Sequence, residues 1–242
     1  MIRRLPVLLA LCSASWSPVA AQDGPLRIYT ALYNIRYSDV PQWTEDYYQH
    51  SVPVLEAMVS EGILNNFNVR MHHTGGEYTI RQGFIAGPET NYETVWNTYL
   101  GRLAEADAAA FERGNRMILA HADEIWNLSV LNIPDGADTR YMYSAMFRIN
   151  FADMAAWNQA WADEVFPGLD QAMADGLLQG YVVQEHNTGG QYNWKIAYLY
   201  DEWDNLDEVE ARIFGAVPLD HPLWAMFTAH RDELWQELAP PS

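Results

Sequence analysis

Two stretches of this chain repeat each other, and the repeat limits what the chain can fold into more than any other feature does. When the 242-residue sequence is aligned with itself at an offset of 114, residues 31–85 match residues 145–199 without a gap, and 14 of these 55 positions are identical. The densest match pairs segment 72–78 with segment 186–192, each carrying His, Thr, Gly, Gly and Tyr in the same order. A fixed internal period of this length indicates two copies of one structural unit.

Each copy carries the same succession of patterns. Apolar and polar side chains alternate at 31–37 and again at 145–151, which predicts a strand. A helical pattern follows at 41–61, interrupted by Pro53, with an equivalent proline at 167; proline removes a helix hydrogen bond, so we expect a kink or a break there. Residues 67–73 and 77–85 predict two strands joined at Gly75-Gly76, since hairpin turns favour glycine at positive φ.

A second helical region is expected at the end of each copy. In the first copy the pattern predicts helices at 90–103 and 106–127, and in the second at 204–215 and 221–237. Residues 130–133 suggest a last strand in the first copy, with no clear counterpart in the second. The end of this region recurs as His121-Ala122-Asp123-Glu124 and His230-Arg231-Asp232-Glu233 at an offset of 109, so the first copy has five extra residues.

The order strand, helix, strand, strand, helix is that of a ferredoxin-like unit. Two such units in one chain resemble the dimeric α+β barrel superfamily, fused here into a pseudo-dimer. The predicted fold class is therefore α+β, with two ferredoxin-like β-α-β-β-α repeats forming a pseudo-dimeric α+β barrel. We place the first repeat at 22–133, a linker at 134–138 and the second repeat at 139–242. A protein of this form is expected to be a monomer or a weak homo-oligomer.

Residues 1–21 have the charge, the apolar core and the small-residue end of a secretory signal peptide, which predicts a periplasmic or secreted protein. The only cysteine, Cys12, lies inside this segment, so no disulfide or thiol chemistry is expected in the mature chain. With 32 acidic against 14 basic residues the net charge is −18, which argues against binding to nucleic acid or to anionic membranes. We expect no membrane segment, no metal and no cofactor.

The face of each sheet that points away from the helices collects the basic residues. Counting outward from each glycine turn places Arg70 opposite Arg81, and Gln184 opposite Lys195. In the barrel superfamily this face lines the interior, and cations placed together there need a partner to offset their repulsion. We therefore expect a small anionic, even aromatic, ligand. Its predicted binding residues are Asn34, Arg36, Arg70, Arg81, Arg148, Asn150 and Lys195, with His72 and His186 as acid-base catalysts.

Alternatives to this small-molecule site stay open. The arginines also suit an ordinary structural role, paired with helix acids in a non-catalytic interaction or scaffold module whose interior is filled. On a helix His121 and Glu124 would share a face and suggest a metal site, although a structural helix end is the preferred interpretation. The superfamily resemblance adds a haem-binding or cofactor-independent monooxygenase-like barrel, in which Asn34 and Trp96 would stand for the family's Asn and Trp.

Overall fold

Eight strands run through residues 24–241, the part of the chain that the computed structural model describes. The predicted signal peptide at 1–21 lies outside these residues. In chain order the strands are β1 (Arg27–Ile35), β2 (Asn66–Thr74), β3 (Ile80–Ala86), β4 (Ile118–Asn132), β5 (Tyr141–Ile149), β6 (Gly180–Thr188), β7 (Trp194–Tyr200) and β8 (Phe227–Glu237).

The strands form one closed antiparallel barrel in the order β1-β3-β2-β8-β5-β7-β6-β4. Within the first repeat the neighbours are β4-β1-β3-β2, and within the second they are β8-β5-β7-β6, so each repeat has the ferredoxin-like strand order. The two sheets join where β2 pairs with β8 and where β6 pairs with β4. This confirms the predicted fold class of two fused ferredoxin-like repeats in a pseudo-dimeric α+β barrel.

The helices pack on the outward faces of the two sheets. The first repeat contains α1 (Val40–Asp46), α2 (Val52–Ser60), α3 (Tyr92–Ala106) and α4 (Ala108–Met117). The second contains α5 (Met154–Ala160), α6 (Phe166–Ala174) and α7 (Leu206–Ala216). Among the described residues no helix combines the length and the apolar character needed to cross a membrane.

The predicted interruption of the first helix occurs in both repeats, and it takes the form of a π-helical turn. These turns span Tyr47–Ser51 and Trp161–Val165, directly before Pro53 and Pro167. Proline has no N–H to give to the carbonyl four residues earlier. The backbone therefore widens, and the amide of Val52 bonds to Tyr47 five residues back.

The helices expected at 106–127 and 221–237 are wrong over most of their length. Helix α4 ends at Met117 and residues 118–132 are strand β4, while the second segment has a short 3-10 turn at Pro222–Ala225 followed by β8. The residues are good helix formers, yet β4 bonds to β1 on one side and to β6 on the other. Strand pairing on both sides outweighs a local preference for helix.

Side chains sort onto two faces of the barrel wall. The outward faces meet the helices in two cores, one for each repeat. The inward face holds a third core, lined by Ile28, Ile85, Trp126, Leu128, Met142, Val182, Ala197, Leu199 and Trp235. The register confirms the counting outward from the glycines, since Arg70 pairs with Arg81 and Gln184 with Lys195.

Candidate functional site

The inside of the barrel is only partly filled. Near the two glycine hairpins a chamber of about 280 Å³ remains open, and we refer to it as the barrel chamber. Its charged lining comes from strands of both repeats, with the hairpin segments over it. The lining includes Arg81, Glu124, Ser144, Lys195, Arg231 and Glu233, with Glu77, Tyr78, Gln191 and Tyr192 from the hairpins.

Two of the predicted ligand-binding residues meet in the barrel chamber without a counter-ion. Arg81 is 5% exposed and Lys195 is 2% exposed, and within residues 24–241 neither has a carboxylate oxygen within 4.0 Å. The ammonium of Lys195 lies 4.3 Å from the centre of the Trp126 ring. The Arg81 guanidinium contacts the sulfur of Met142 at 3.2 Å.

Two carboxylates share the barrel chamber with these cations, and sequence analysis missed them. Glu124 accepts a hydrogen bond from Trp126 Nε1 at 3.0 Å, and Glu233 accepts one from Trp235 Nε1 at 3.1 Å. Glu233 also pairs with Arg231 at 2.7 Å. Because β4 and β8 were assigned to helices, their alternation was not followed and the acids were not placed on the inward face.

Burial decides the charge state of Lys195. Loss of hydration and, to a smaller extent, the nearby Arg81 charge lower the pKa of Lys195, and Glu124 and Glu233 raise it; the net result is a pKa of about 7. Burial likewise lowers the pKa of Arg81. The ammonium form of Lys195 is therefore destabilised in the folded protein.

Replacing Lys195 by Met is expected to stabilise the protein in a pH-dependent way. Below pH 7 the lysine is charged in both folded and unfolded chains and pays the full cost of burial; above its unfolded pKa it is neutral in both. The gain from Lys195→Met should fall by about 2–3 kcal/mol between pH 6.5 and 9.5. Urea denaturation of both proteins at each pH measures this, and a gain that does not change with pH would contradict it.

The other charged or titratable groups around Lys195 are Arg81, Glu124, Arg231, Glu233, Glu77, Tyr78 and Tyr192.

The structure places the other predicted site residues outside the barrel chamber. Arg70 is buried further along the barrel, where it donates to the carbonyl of Arg140 at 3.3 Å, and burial lowers its pKa to about 10. His72 accepts from the Gly76 amide at 3.0 Å, and His186 donates to the carbonyl of Gly189 at 2.7 Å. Both histidines thus close their own hairpins.

The remaining predicted ligand residues lie around the barrel mouth and bond to protein groups. Asn34 donates to the carbonyl of Glu77 at 3.0 Å. Arg36 faces Asp39 at 3.6 Å with 61% of its side chain exposed, and Arg148 donates to the carbonyl of Gln191 at 2.8 Å. Asn150 donates to Asp153 at 3.1 Å. Only Arg81 and Lys195 of the predicted set line the barrel chamber.

A second cavity, of about 170 Å³, lies on the other side of the sheet, between the first repeat's strands and its helices. We call it the first-repeat cleft. Aromatic rings form most of its apolar wall, and buried polar groups point between them. The residues used below are Tyr33, Trp43, Tyr47, His50, Ser51, Gln82, Trp96, Tyr99, Asp107 and His121.

Several polar side chains of the first-repeat cleft are buried. Gln82 is 1% exposed and donates to the Tyr99 hydroxyl at 3.3 Å. The Tyr47 hydroxyl is buried and has no hydrogen-bond partner among the described residues. Burial raises the pKa of Tyr47 and of Tyr99 above that of an exposed tyrosine, so both phenols stay protonated and can donate.

The second repeat fills the equivalent space. At the 114-residue offset, Trp194 stands where the first repeat has Ile80. Its ring packs on Trp161 at 4.6 Å and on Trp157 at 5.4 Å between ring centres, and its Nε1 donates to Asn158 at 2.9 Å. The positions of Tyr47, Ser51, Gln82 and Tyr99 are taken by Trp161, Val165, Ile196 and Ile213.

The five extra residues of the first repeat contribute to helix α4, which forms one wall of the first-repeat cleft. Arg113 of this helix holds Asp46 through two hydrogen bonds of 2.9 and 2.7 Å. Asp107 caps the helix by accepting from the amides of Ala109 and Ala110, and the Ala110 bond is the main reason its pKa is lowered. The remaining side of Asp107 faces His50, whose Nε2 lies 3.8 Å away.

The metal site considered at His121 and Glu124 is not formed. On a strand these residues lie on opposite faces, so His121 turns outward to Asp123 at 2.7 Å while Glu124 turns into the barrel chamber. His230 and Asp232 repeat the outward pair at 2.9 Å. Within the described residues no three metal-binding side chains come together.

The cleft residues were missed because sequence analysis looked for identities between the repeats. The first-repeat cleft is marked by differences instead. The polar side chains at 51 and 82 correspond to apolar ones at 165 and 196 in the second repeat, and His50 corresponds to Glu164. A position that is polar in one copy and apolar in a superposable copy points to a use found only in the first.

No family model and no curated protein sequence matches the chain. Solved structures do match over most of its length. A proposed monooxygenase from Fusobacterium nucleatum has a TM-score of 0.60 at 9% identity, covering 90% of this chain and 94% of that one. A haem-binding protein from Thermus thermophilus has a TM-score of 0.56 at 7% identity, covering 90% and 92%.

A mutant chlorite dismutase from Candidatus Nitrospira defluvii is similar to the same degree, with a TM-score of 0.56 at 7% identity, covering 90% of this chain and 93% of that one. At identities this low the comparison shows the fold, and the chemistry of the site has to be argued from this chain's own residues. Its strand order, its paired repeats and these structural neighbours show that the chain has the dimeric α+β barrel fold, with one polypeptide supplying both halves.

Proposed function

We propose that the protein binds a small single-ring organic molecule with a hydroxyl or carbonyl group in the first-repeat cleft. One observation carries this: the first repeat keeps Tyr47, Ser51, Gln82 and Tyr99 in its interior where the second repeat has none of these groups. Burying hydroxyl and amide groups costs free energy unless a partner satisfies them. A ligand oxygen supplies that partner for the Tyr47 hydroxyl.

The size and chemistry of the first-repeat cleft limit the ligand. A cavity of about 150 Å³ admits benzene, and this one measures about 170 Å³. The stacked pair Trp43 and Tyr47, with ring centres 5.2 Å apart, offers flat apolar surface to a ring. Protonated tyrosines donate hydrogen bonds, so a carbonyl or hydroxyl oxygen is favoured.

His50 is the residue best placed to take a proton from such a ligand. It lines the first-repeat cleft beside the Asp107 carboxylate, which would stabilise an imidazolium, and histidine exchanges protons near neutral pH. The His121–Asp123 pair is a weaker candidate, since its twin His230–Asp232 occurs in the filled repeat and so serves packing there. The proposed reaction class is proton abstraction from the bound compound.

Two of the structural neighbours are described as a proposed monooxygenase and as a haem-binding protein, so haem is a candidate ligand for the first-repeat cleft. Pockets for drug-sized ligands measure about 300–1,000 Å³, and a porphyrin belongs among the larger of these ligands, whereas the first-repeat cleft has about 170 Å³. Asn34 and Trp96, considered for a haem site, lie on opposite faces of the sheet. The residues present do not fit haem, and no step of the proposal uses it.

The scaffold alternative predicts a filled interior in which the arginines of the inward strand face pair with Asp or Glu. A barrel chamber of about 280 Å³ beside unpaired Arg81 and Lys195 does not agree with that expectation. The charge pattern supports a small-molecule protein.

Copying the second repeat into the first tests the proposal. Ile80→Trp should fill the first-repeat cleft and Gln82→Ile should remove its amide, so affinity for phenol and benzaldehyde should fall at least about tenfold in each variant, the equivalent of one lost hydrogen bond or more. Isothermal titration calorimetry measures binding. Oxygen uptake with the bound phenol would extend the reaction to that of a monooxygenase.

Ile196→Val, at the position equivalent to Gln82, serves as the matched control and should bind as the unaltered protein does. Unfolding free energies of all variants confirm that they are folded. If Ile80→Trp folds and still binds both probes with unchanged affinity, the ligand site is elsewhere.

A further inference from the structure

The use of lysine in this protein is unusual. Lys195 is the only lysine in a sequence that has 13 arginines. The equivalent residue of the first repeat is Arg81, so the two repeats place different cations at the same position. An arginine keeps its charge at all ordinary pH values, whereas the amine of a buried lysine can lose its proton and act as a nucleophile.

Arg81 and Lys195 face each other across the barrel chamber. They lie on β3 and β7, which are four strands apart in the eight-stranded order. Each is at least nine-tenths buried, and neither has an ion-pair partner within residues 24–241. A ligand that contacts both side chains must therefore have two ends, one for each wall.

The two ends differ in chemistry. A guanidinium binds a carboxylate through two parallel hydrogen bonds. The amine of Lys195 is desolvated by burial and lies near a second cation, the two conditions that favour a neutral, nucleophilic lysine. Ser144 adds a hydroxyl donor, and Glu124, which has no ion-pair partner among the described residues, places a carboxylate in the same chamber.

We propose that the barrel chamber binds a small oxo-carboxylic acid, with its carboxylate on Arg81 and its carbonyl carbon joined to Lys195 as an imine. The neutral amine nitrogen adds to the carbonyl carbon, and the carbonyl oxygen takes up a proton to give a carbinolamine. The carbon–oxygen bond then breaks and water leaves, so one amine and one carbonyl give one imine and one water. No oxidant or reductant is needed. This site is separate from the first-repeat cleft, and the proposal does not depend on ligand binding there.

Reductive trapping tests the imine. The full-length protein is incubated with pyruvate and cyanoborohydride, which converts an imine to a stable secondary amine, and the modified peptides are identified by mass spectrometry. We expect one internal adduct, on Lys195. The α-amino group at the chain terminus is the other primary amine, and peptide mapping separates the two.

Acetone, which has the carbonyl without the carboxylate, tests the role of Arg81. Arg81→Gln should reduce labelling by pyruvate at least tenfold more than it reduces labelling by acetone. Both probes lose the cation that favours a neutral Lys195, but only pyruvate also loses its carboxylate partner, and one charged hydrogen bond is worth tenfold or more. Arg116→Gln, an exposed helix position, should change neither. Circular dichroism checks that each variant is folded, and Arg81→Met provides a second variant if the first is not.

Three results would overturn the proposal. One is labelling confined to the chain terminus in the unaltered protein. Another is equal loss of pyruvate and acetone labelling in both folded Arg81 variants, which would show that the arginine does not recognise the carboxylate. A third is persistence of the internal adduct in Lys195→Met.

Discussion

Replacing Gly75 by Ala should lower the free energy of unfolding by about 3 kcal/mol or more. Gly75 has φ +106°, a backbone conformation that costs a residue with a side chain about 1–3 kcal/mol. An added methyl would also overlap the carbonyl oxygen of Asp232, which belongs to β8 of the other repeat. A clash with backbone cannot be relieved by turning a side chain, so the hairpin must move away from β8.

Gly136→Ala separates the two causes. Gly136 has φ +76° and nothing within 4 Å of an added methyl, so this variant carries the backbone strain without the clash and should lose only about 1 kcal/mol. Urea denaturation at constant pH measures all the variants. Equal losses for Gly75→Ala and Gly136→Ala would show that the hairpin tip does not press on β8.

The second repeat offers an internal replicate. Gly189 has φ +82°, and a methyl there would overlap the carbonyl oxygen of Asp123 on β4. A methyl added at the next glycines, Gly76 and Gly190, would also come too close to the carboxylates of Glu233 and Glu124. Each hairpin therefore packs on the last strand of the opposite repeat, and the glycine pairs hold the two halves together at the barrel chamber.

Replacing Trp194 by Ile should cost about 3 kcal/mol and open a cavity in the second repeat. The change gives the second repeat the residue that the first has at position 80. Trp194 is fully buried among Trp157, Trp161 and Phe147, and its removal leaves the Asn158 carbonyl oxygen without its indole donor. Large-to-small changes in a core cost about 2–5 kcal/mol, with the exact amount set by how far the site collapses.

Trp224→Ile is the matched control for this prediction. Trp224 is only partly buried, and its Nε1 donates to the carbonyl of Pro218 at 3.0 Å. Its loss should cost about 1 kcal/mol, the worth of one hydrogen bond and partial burial. If denaturation finds the two variants equally destabilised, the second repeat does not depend on Trp194 to fill the space that the first leaves open.

Part of the candidate site was predictable from period-two alternation. Counting outward from Gly75-Gly76 placed Arg81 on the inward face, and counting from Gly189-Gly190 did the same for Lys195, because strand side chains alternate between two faces. The same rule also holds on β4 and β8, but their alanines, acids and leucines suit a helix, so there was no reason to apply it there. Glu124 and Glu233 were consequently missed, although they share the barrel chamber with the predicted cations.

The sequence alone determined that two like units exist, where each hairpin turns and which side chains share a strand face. It did so because an internal repeat, a glycine at positive φ and a two-residue period are local properties that need no knowledge of distant neighbours. Which strands close the barrel, and which repeat keeps an open cleft, depended on contacts between residues far apart in the chain. Pairing of β4 with β6 and of β2 with β8 overrode local helix preference, and Trp194 filled the interior of the second repeat while a cleft stayed open in the first.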